Sequence, residues 1–170
     1  MTIREALRRV SGFVDEIPTI VEQIGDELSP DIVKMNQKQL SEGFTSEGKM
    51  IGDKPPYNHP GYFAGHKSHR EKIGLQTTHI DLKMKGTFYE SLIPEFKGPY
   101  FKVISNDDEN KVHALMFGGN SSSSSNCDCI SVRDGGFGEE ILGLTEGNYS
   151  NIENQGTQKF IKKFREKTGF

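Results

Sequence analysis

The sequence predicts an α+β domain with a long N-terminal helical segment, a small antiparallel β-sheet and a C-terminal helix. Three observations point there. Apolar residues recur at Val21, Ile24, Leu28, Ile32, Met35 and Leu40, spacings that lay one stripe along a helix. Ile80, Leu82 and Met84 alternate with Asp81, Lys83 and Lys85, the period of two of a strand with one buried face. Ile152, Phe160, Ile161 and Phe164 then share a helical face, and Lys159, Lys162, Lys163, Arg165 and Lys167 crowd the last turns, where cations suit the helix dipole.

The elements follow in order. Residues 1–42 read as helical. Thr2 is placed to cap a short first helix, with Glu5 three residues on to complete a capping box. Pro18 suits the first turn of a second helix. Pro30 interrupts the apolar stripe, so Ser29 is expected to cap a third piece running to about Glu42. Residues 43–79 read as a long loop in which Tyr62 to Lys72 could form a short helix. From Ser41 to His79 the chain carries six glycines, three prolines and four histidines, and structureless connections of such length are uncommon and usually functional or disordered. Residues 80–117 are assigned to strands: Ile80 to Lys85, Phe101 to Ser105 and Val112 to Phe117. Between the first two, Phe88 to Ile93 forms a single helical turn stopped before Pro94. Asn106 to Asn110 is expected to be a hairpin loop. Residues 118–138 are a low-complexity loop holding Ser121 to Ser125. Residues 139–170 should give a last strand at Ile141 to Leu144 and the C-terminal helix, capped by Asn148 or Ser150.

Composition bounds the rest. The chain has 170 residues and a mass of 19.0 kDa, a one-domain length. Leu, Ile, Val and Phe total 41, enough to build a core but a small one. The net charge of −3 argues against a general electrostatic DNA binder. No apolar run approaches a membrane span. The charged opening from Ile3 to Arg9 predicts no signal peptide. Cys127 and Cys129 lie too close in sequence to staple a fold.

Of the chemistry-bearing patterns, His59, His66, His69 and His79 are the most enzyme-like. His66 and His69, three apart, could face one metal on a helix, with Asp53, Glu71 or Asp81 as a carboxylate partner. Yet no H-E-x-x-H appears and no spacing matches a known cage, so four histidines in a polar loop is the preferred reading. Cys127-Asp128-Cys129 is half of a thiolate site without its other half. Gly135-Gly136-Phe137-Gly138 lacks the Lys-Ser/Thr of a phosphate loop. No catalytic, cofactor or metal residue is assigned. Tyr57, Tyr62 and Phe63, aromatics among prolines and glycines, are the candidate partner-binding residues.

Three segments resemble a known family. The first is Leu40-Ser41-Glu42-Gly43, then Ser46-Glu47-Gly48-Lys49-Met50-Ile51-Gly52, then Tyr57 and Tyr62. The second is Ile80-Asp81-Leu82-Lys83-Met84-Lys85-Gly86-Thr87-Phe88-Tyr89-Glu90-Ser91-Leu92. The third is Ile141-Leu142-Gly143-Leu144-Thr145-Glu146, followed by a basic-aromatic terminal helix. Their order is similar to the tail-completion or virion-morphogenesis proteins of tailed bacteriophages, over most of residues 20–167. Members usually carry a compact segment where this chain has its serine- and cysteine-containing stretch from Gly118 to Gly138. The resemblance implies a structural, non-enzymatic neck protein that joins tail to head. It implies a ring of identical copies closed by heterologous contacts, with portal or adaptor and tail proteins as neighbours. It implies residence in the virion after assembly in the host cytoplasm, and no membrane or specific nucleic-acid partner. A metal-dependent nuclease built on the His59–His79 loop is the alternative.

Overall fold

The computed structural model describes residues 2–53, 61–62, 64–118 and 136–170. Expectations for Tyr57, His59, Phe63, Ser121 to Ser125, Cys127 and Cys129 fall outside those residues. The element order is α1 (Ile3–Ser41), α2 (Ala64–Lys72), α3 (Thr87–Glu90), β1 (Leu92–Lys97), β2 (Tyr100–Ser105), α4 (Glu109–Phe117), a short 3-10 turn (Glu139–Ile141) and α5 (Glu146–Thr168). This is the α+β architecture expected: a long N-terminal helix, a two-stranded antiparallel sheet and a C-terminal helix.

The N-terminal segment is one 39-residue helix, not three pieces. Thr2 caps it as expected, its Oγ1 accepting from the Glu5 N–H at 3.3 Å. Pro18 and Pro30 both lie inside it. Each removes a backbone bond and costs about 3 kcal/mol in a helix interior. Two things outweigh that cost. Both prolines are exposed, as are Val14 and Asp26, whose carbonyls lose their partners, so no orphaned group enters the core. And the buried stripe Ile20, Ile24, Leu28 and Ile32 runs through Pro30 without a change of face, so breaking the helix would unpack it. Ser29 is no cap: its hydroxyl donates to the Gly25 carbonyl one turn back, at 3.0 Å.

α5 packs antiparallel along α1. Phe13 meets Phe160 and Phe164 edge to face, at 5.5 and 5.0 Å between centroids. Lys159 and Lys163 pair with Glu27, and Lys167 pairs with Glu16. The cap of α5 is Thr145, one turn before the positions the sequence favoured, its Oγ1 accepting from Asn148 N–H. Thr145→Ala should cost about 0.5–2 kcal/mol, read as a lowered urea midpoint with an unchanged slope.

The assigned strands are the main correction. Only Phe101 to Ser105 is a strand; it pairs with β1 from Leu92↔Ser105 to Lys97↔Tyr100. Of the helical turn expected before Pro94, Phe88 and Tyr89 do lie in the short helix α3, while Leu92 and Ile93 instead open β1, which continues through Pro94. In a two-stranded sheet both strands are edges, where a proline is tolerated. Gly98, at φ +60°, followed by Pro99, makes the tight turn. Val112 to Phe117 is not a strand but part of α4. The polar run before it, read as a hairpin loop, holds the start of a helix: Asp108 Oδ1 accepts from Lys111 N–H at 3.0 Å. Ile80 to Lys85 is irregular. Ile80 and Leu82 are buried, but so is Asp81 between them, and Leu82 adopts φ +54°. Ile141 to Leu144 forms no strand either: a 3-10 turn ends at Ile141. The short helix expected between Tyr62 and Lys72 does form, as α2.

Candidate functional site

The three segments that carry the family resemblance converge on the C-terminal half of α1. The first leaves α1 and folds back, with Ile51 N–H donating to the Gly43 carbonyl and Phe44 bridging Met50. Gly43 has φ +82°, and a Cβ there would lie 2.6 Å from His79 Cδ2. His79 Nε2 in turn sits 2.8 Å from the Ser41 carbonyl oxygen. The second segment reaches α1 through Tyr89, whose carbonyl accepts from Gln37 Nε2 at 2.8 Å. The third is gripped by buried amides of α1. Asn36 Nδ2 and Gln39 Nε2 both donate to the Gly143 carbonyl, at 2.6 and 3.1 Å, and Gln39 Oε1 accepts from Thr145 N–H. Leu40, Ile51, Ile80, Ile141 and Leu144, from these segments, are all buried in the main core.

Beside this junction lies a buried ionic cluster. Arg70 on α2 is 3% exposed and Asp81 is 5% exposed. Arg70 Nη2 sits 3.0 Å from both Asp81 oxygens. Its Nε donates to the Gln76 carbonyl and its Nη1 to the Lys83 carbonyl, each at 2.8 Å. Tyr62 lies under the guanidinium, 4.2 Å from ring centroid to Cζ, and donates its hydroxyl to Asp81 Oδ1 at 2.7 Å. Tyr89 donates to the Asp81 backbone carbonyl, and Lys83 N–H donates to Asp81 Oδ1. The donors and acceptors point inward at one another, so the cluster ties α2, residues 76–84 and α3 together. Tyr62, a candidate partner anchor, is thus half-buried and engaged inside the chain.

Burial pushes the phenols of Tyr62 and Tyr89 well above the usual tyrosine range, and the Asp81 charge adds to the shift. The folded state therefore holds both protonated, and an acid whose folded pKa is raised contributes stability that is lost once pH exceeds its unfolded value. Stability should fall as pH rises above about 10. In a spectrophotometric titration these phenols should ionise together with unfolding, and Tyr62→Phe should shallow the alkaline loss.

His66 and His69 both lie on α2, His69 exposed. Among the described residues no three His, Cys, Asp or Glu side chains gather as a metal site, and no helix is long and apolar enough to cross a membrane.

Among the described residues, two apolar surfaces stand open. A groove of about 440 Å³ lies between α1, the β1–β2 hairpin and α5, lined by Val21, Gly25, Phe96, Phe101, Tyr149 and Phe160 among others. Phe101 stacks on Tyr149 at 5.2 Å. The second is the N-terminal face of α1, where Ile3, Leu7 and Val14 are 83%, 66% and 53% exposed. Neither was found from sequence. The α1 face had a signal, since its spacing of four, three and four continues the apolar stripe back to Ile3. The Arg70–Asp81 pair had almost none: eleven residues separate its members, and a single acid between Ile80 and Leu82 reads as an outward strand position.

Comparison with protein-family models, curated proteins and solved structures finds no match for the chain.

Proposed function

We propose that the chain is a structural virion protein of a tailed phage, acting at the neck as a tail-completion or head–tail connector subunit. The reading carries no catalytic role. Its partners are further copies of itself in a ring, the portal or adaptor above and the tail below, and its place is the virion, assembled in the host cytoplasm. The observation that supports it most is the convergence of the three resembling segments on one end of α1. Short motifs scattered over more than a hundred residues are meaningful as a family signature when they meet in the fold, and here all three are hydrogen-bonded to α1 between Asn36 and Ser41 or run on from it, with Leu40, Ile51, Ile80, Ile141 and Leu144 buried in the same core. The open groove and the bare α1 face add surface on which neighbouring subunits could settle.

The test is deletion of the gene in the phage that encodes it. The expected result is filled heads and finished tails that fail to join, with the chain found by mass spectrometry in wild-type particles. Normal infectious particles after deletion, or particles lacking the chain, would overturn the reading.

A further inference from the structure

The groove between α1, the β1–β2 hairpin and α5 is walled by aromatic rings and carries a single charge. α5 gives it one helical face, made of Tyr149, Ile152, Glu153, Gly156, Thr157 and Phe160. The hairpin adds Phe96 and Phe101, whose ring centroids lie 5.9 Å apart. Phe101 in turn stacks on Tyr149, the two rings within 15° of parallel. Tyr149 is still 36% exposed, so the stack leaves part of it to solvent. The face of an aromatic ring carries partial negative charge.

Glu153 is the one charged side chain among the residues that line this groove. It stands one turn after Tyr149 on the same face of α5, a spacing at which side chains on a helix are neighbours. It is exposed, and among the described residues it has no hydrogen-bond or ion-pair partner. Nearby bases are engaged elsewhere: Lys159 and Lys163 pair with Glu27, and Lys102 pairs with Glu95. Lys97, beside Phe96, does not line the groove. The carboxylate and the ring faces therefore favour the same ligand charge, and no base of the wall answers them.

We infer that the groove takes a small organic cation, a quaternary ammonium with an apolar body. Its charged end sits between Tyr149 and Glu153, and its body lies along Val21, Gly25 and Phe160. Three observations choose that ligand. The sign of the charge follows from Glu153 and from the rings, whose quadrupole attracts a cation held over the face. The size follows from the volume of about 440 Å³, within the range of small-molecule sites. The quaternary nitrogen follows from the wall, whose polar side chains besides Glu153 are Thr157 and the phenols of Tyr100 and Tyr149. A primary ammonium would bring three donors into a mostly apolar groove, and each donor left without an acceptor carries a desolvation cost. The inference concerns the chain by itself and does not rest on the neck reading.

NMR titrations of the full chain test it. The probes are choline and neohexyl alcohol, its isostere with carbon in place of the charged nitrogen. Choline should shift the ring signals of Tyr149 and Phe101 and bind about fivefold tighter than the alcohol. Benzyltrimethylammonium, with a larger apolar body, should bind tighter than choline. Glu153→Gln should weaken choline about threefold to fivefold and leave the alcohol unchanged. That difference should shrink at high salt. Glu153 is exposed, so circular dichroism should show this variant folded as the wild type is. Equal binding of choline and neohexyl alcohol would overturn the choice of a cation. An unchanged choline affinity in Glu153→Gln would overturn the placement of the charged end. Ring signals of Tyr149 and Phe101 that do not move, even at the solubility limit of either ammonium salt, would overturn the site itself.

Discussion

Arg70→Ala is expected to destabilise the fold by about 3–5 kcal/mol, because it leaves Asp81 buried without its cation. The geometry sets the size of the effect. Both Asp81 oxygens accept from one guanidinium nitrogen at 3.0 Å, and the same side chain holds the carbonyls of Gln76 and Lys83. Removing it strips a counter-ion and two backbone tethers in one step. Asp81→Ala should cost a comparable amount for the converse reason, with an unpaired arginine and a Tyr62 hydroxyl left behind. The double variant should lose clearly less than the sum, since neither charge is then stranded. Against a typical total of about 5–15 kcal/mol, either single change brings the domain near its unfolding threshold. Urea melts decide it. A loss under about 1 kcal/mol for Arg70→Ala would mean that water reaches the pair and that the cluster does not hold residues 64–90 together.

The helices at the two ends were legible because their burial is periodic over many residues. Ile24, Leu28, Ile32 and Leu40 announce one face of α1, and they lie fully inside. What misled was local punctuation. Pro18 and Pro30 obey a rule about isolated helices, but packing against α5 and the hairpin spans both of them. The middle of the chain misleads for a different reason. In Val112 to Phe117 the apolar residues are too few to distinguish a period of two from one of 3.6. The deciding feature was the Asp108 cap, hidden in a polar run that serves equally well as a turn. The candidate site shows the limit most plainly. The pattern marks Tyr62 as an anchor for partners, and in the fold its aromatic ring lies on Arg70 of its own chain. Nothing in a linear pattern tells an aromatic that docks outward from one that covers a buried charge.

The second large effect concerns Leu82. Leu82→Ala should cost about 2–5 kcal/mol, as for other buried leucines, since the side chain is 4% exposed within the main core. That size would hold equally for a residue on a regular strand, so it cannot separate the irregular backbone seen here from the strand that the alternation predicts. Leu82→Gly can. In a strand, glycine is worse than alanine by roughly 0.5–1 kcal/mol, because it has more freedom to lose. At φ +54° the balance reverses. A side chain in the left-handed region costs roughly 1–2 kcal/mol that glycine does not incur, and this exceeds its entropic disadvantage. Leu82→Gly should therefore be less damaging than Leu82→Ala, by a few tenths to about 1 kcal/mol. Denaturant melts of the pair at one pH give the order directly. Glycine ranking below alanine would return Ile80 to Lys85 to an extended strand. Asp81 would then point to the face opposite Leu82, where the backbone seen here instead turns it inward onto Arg70.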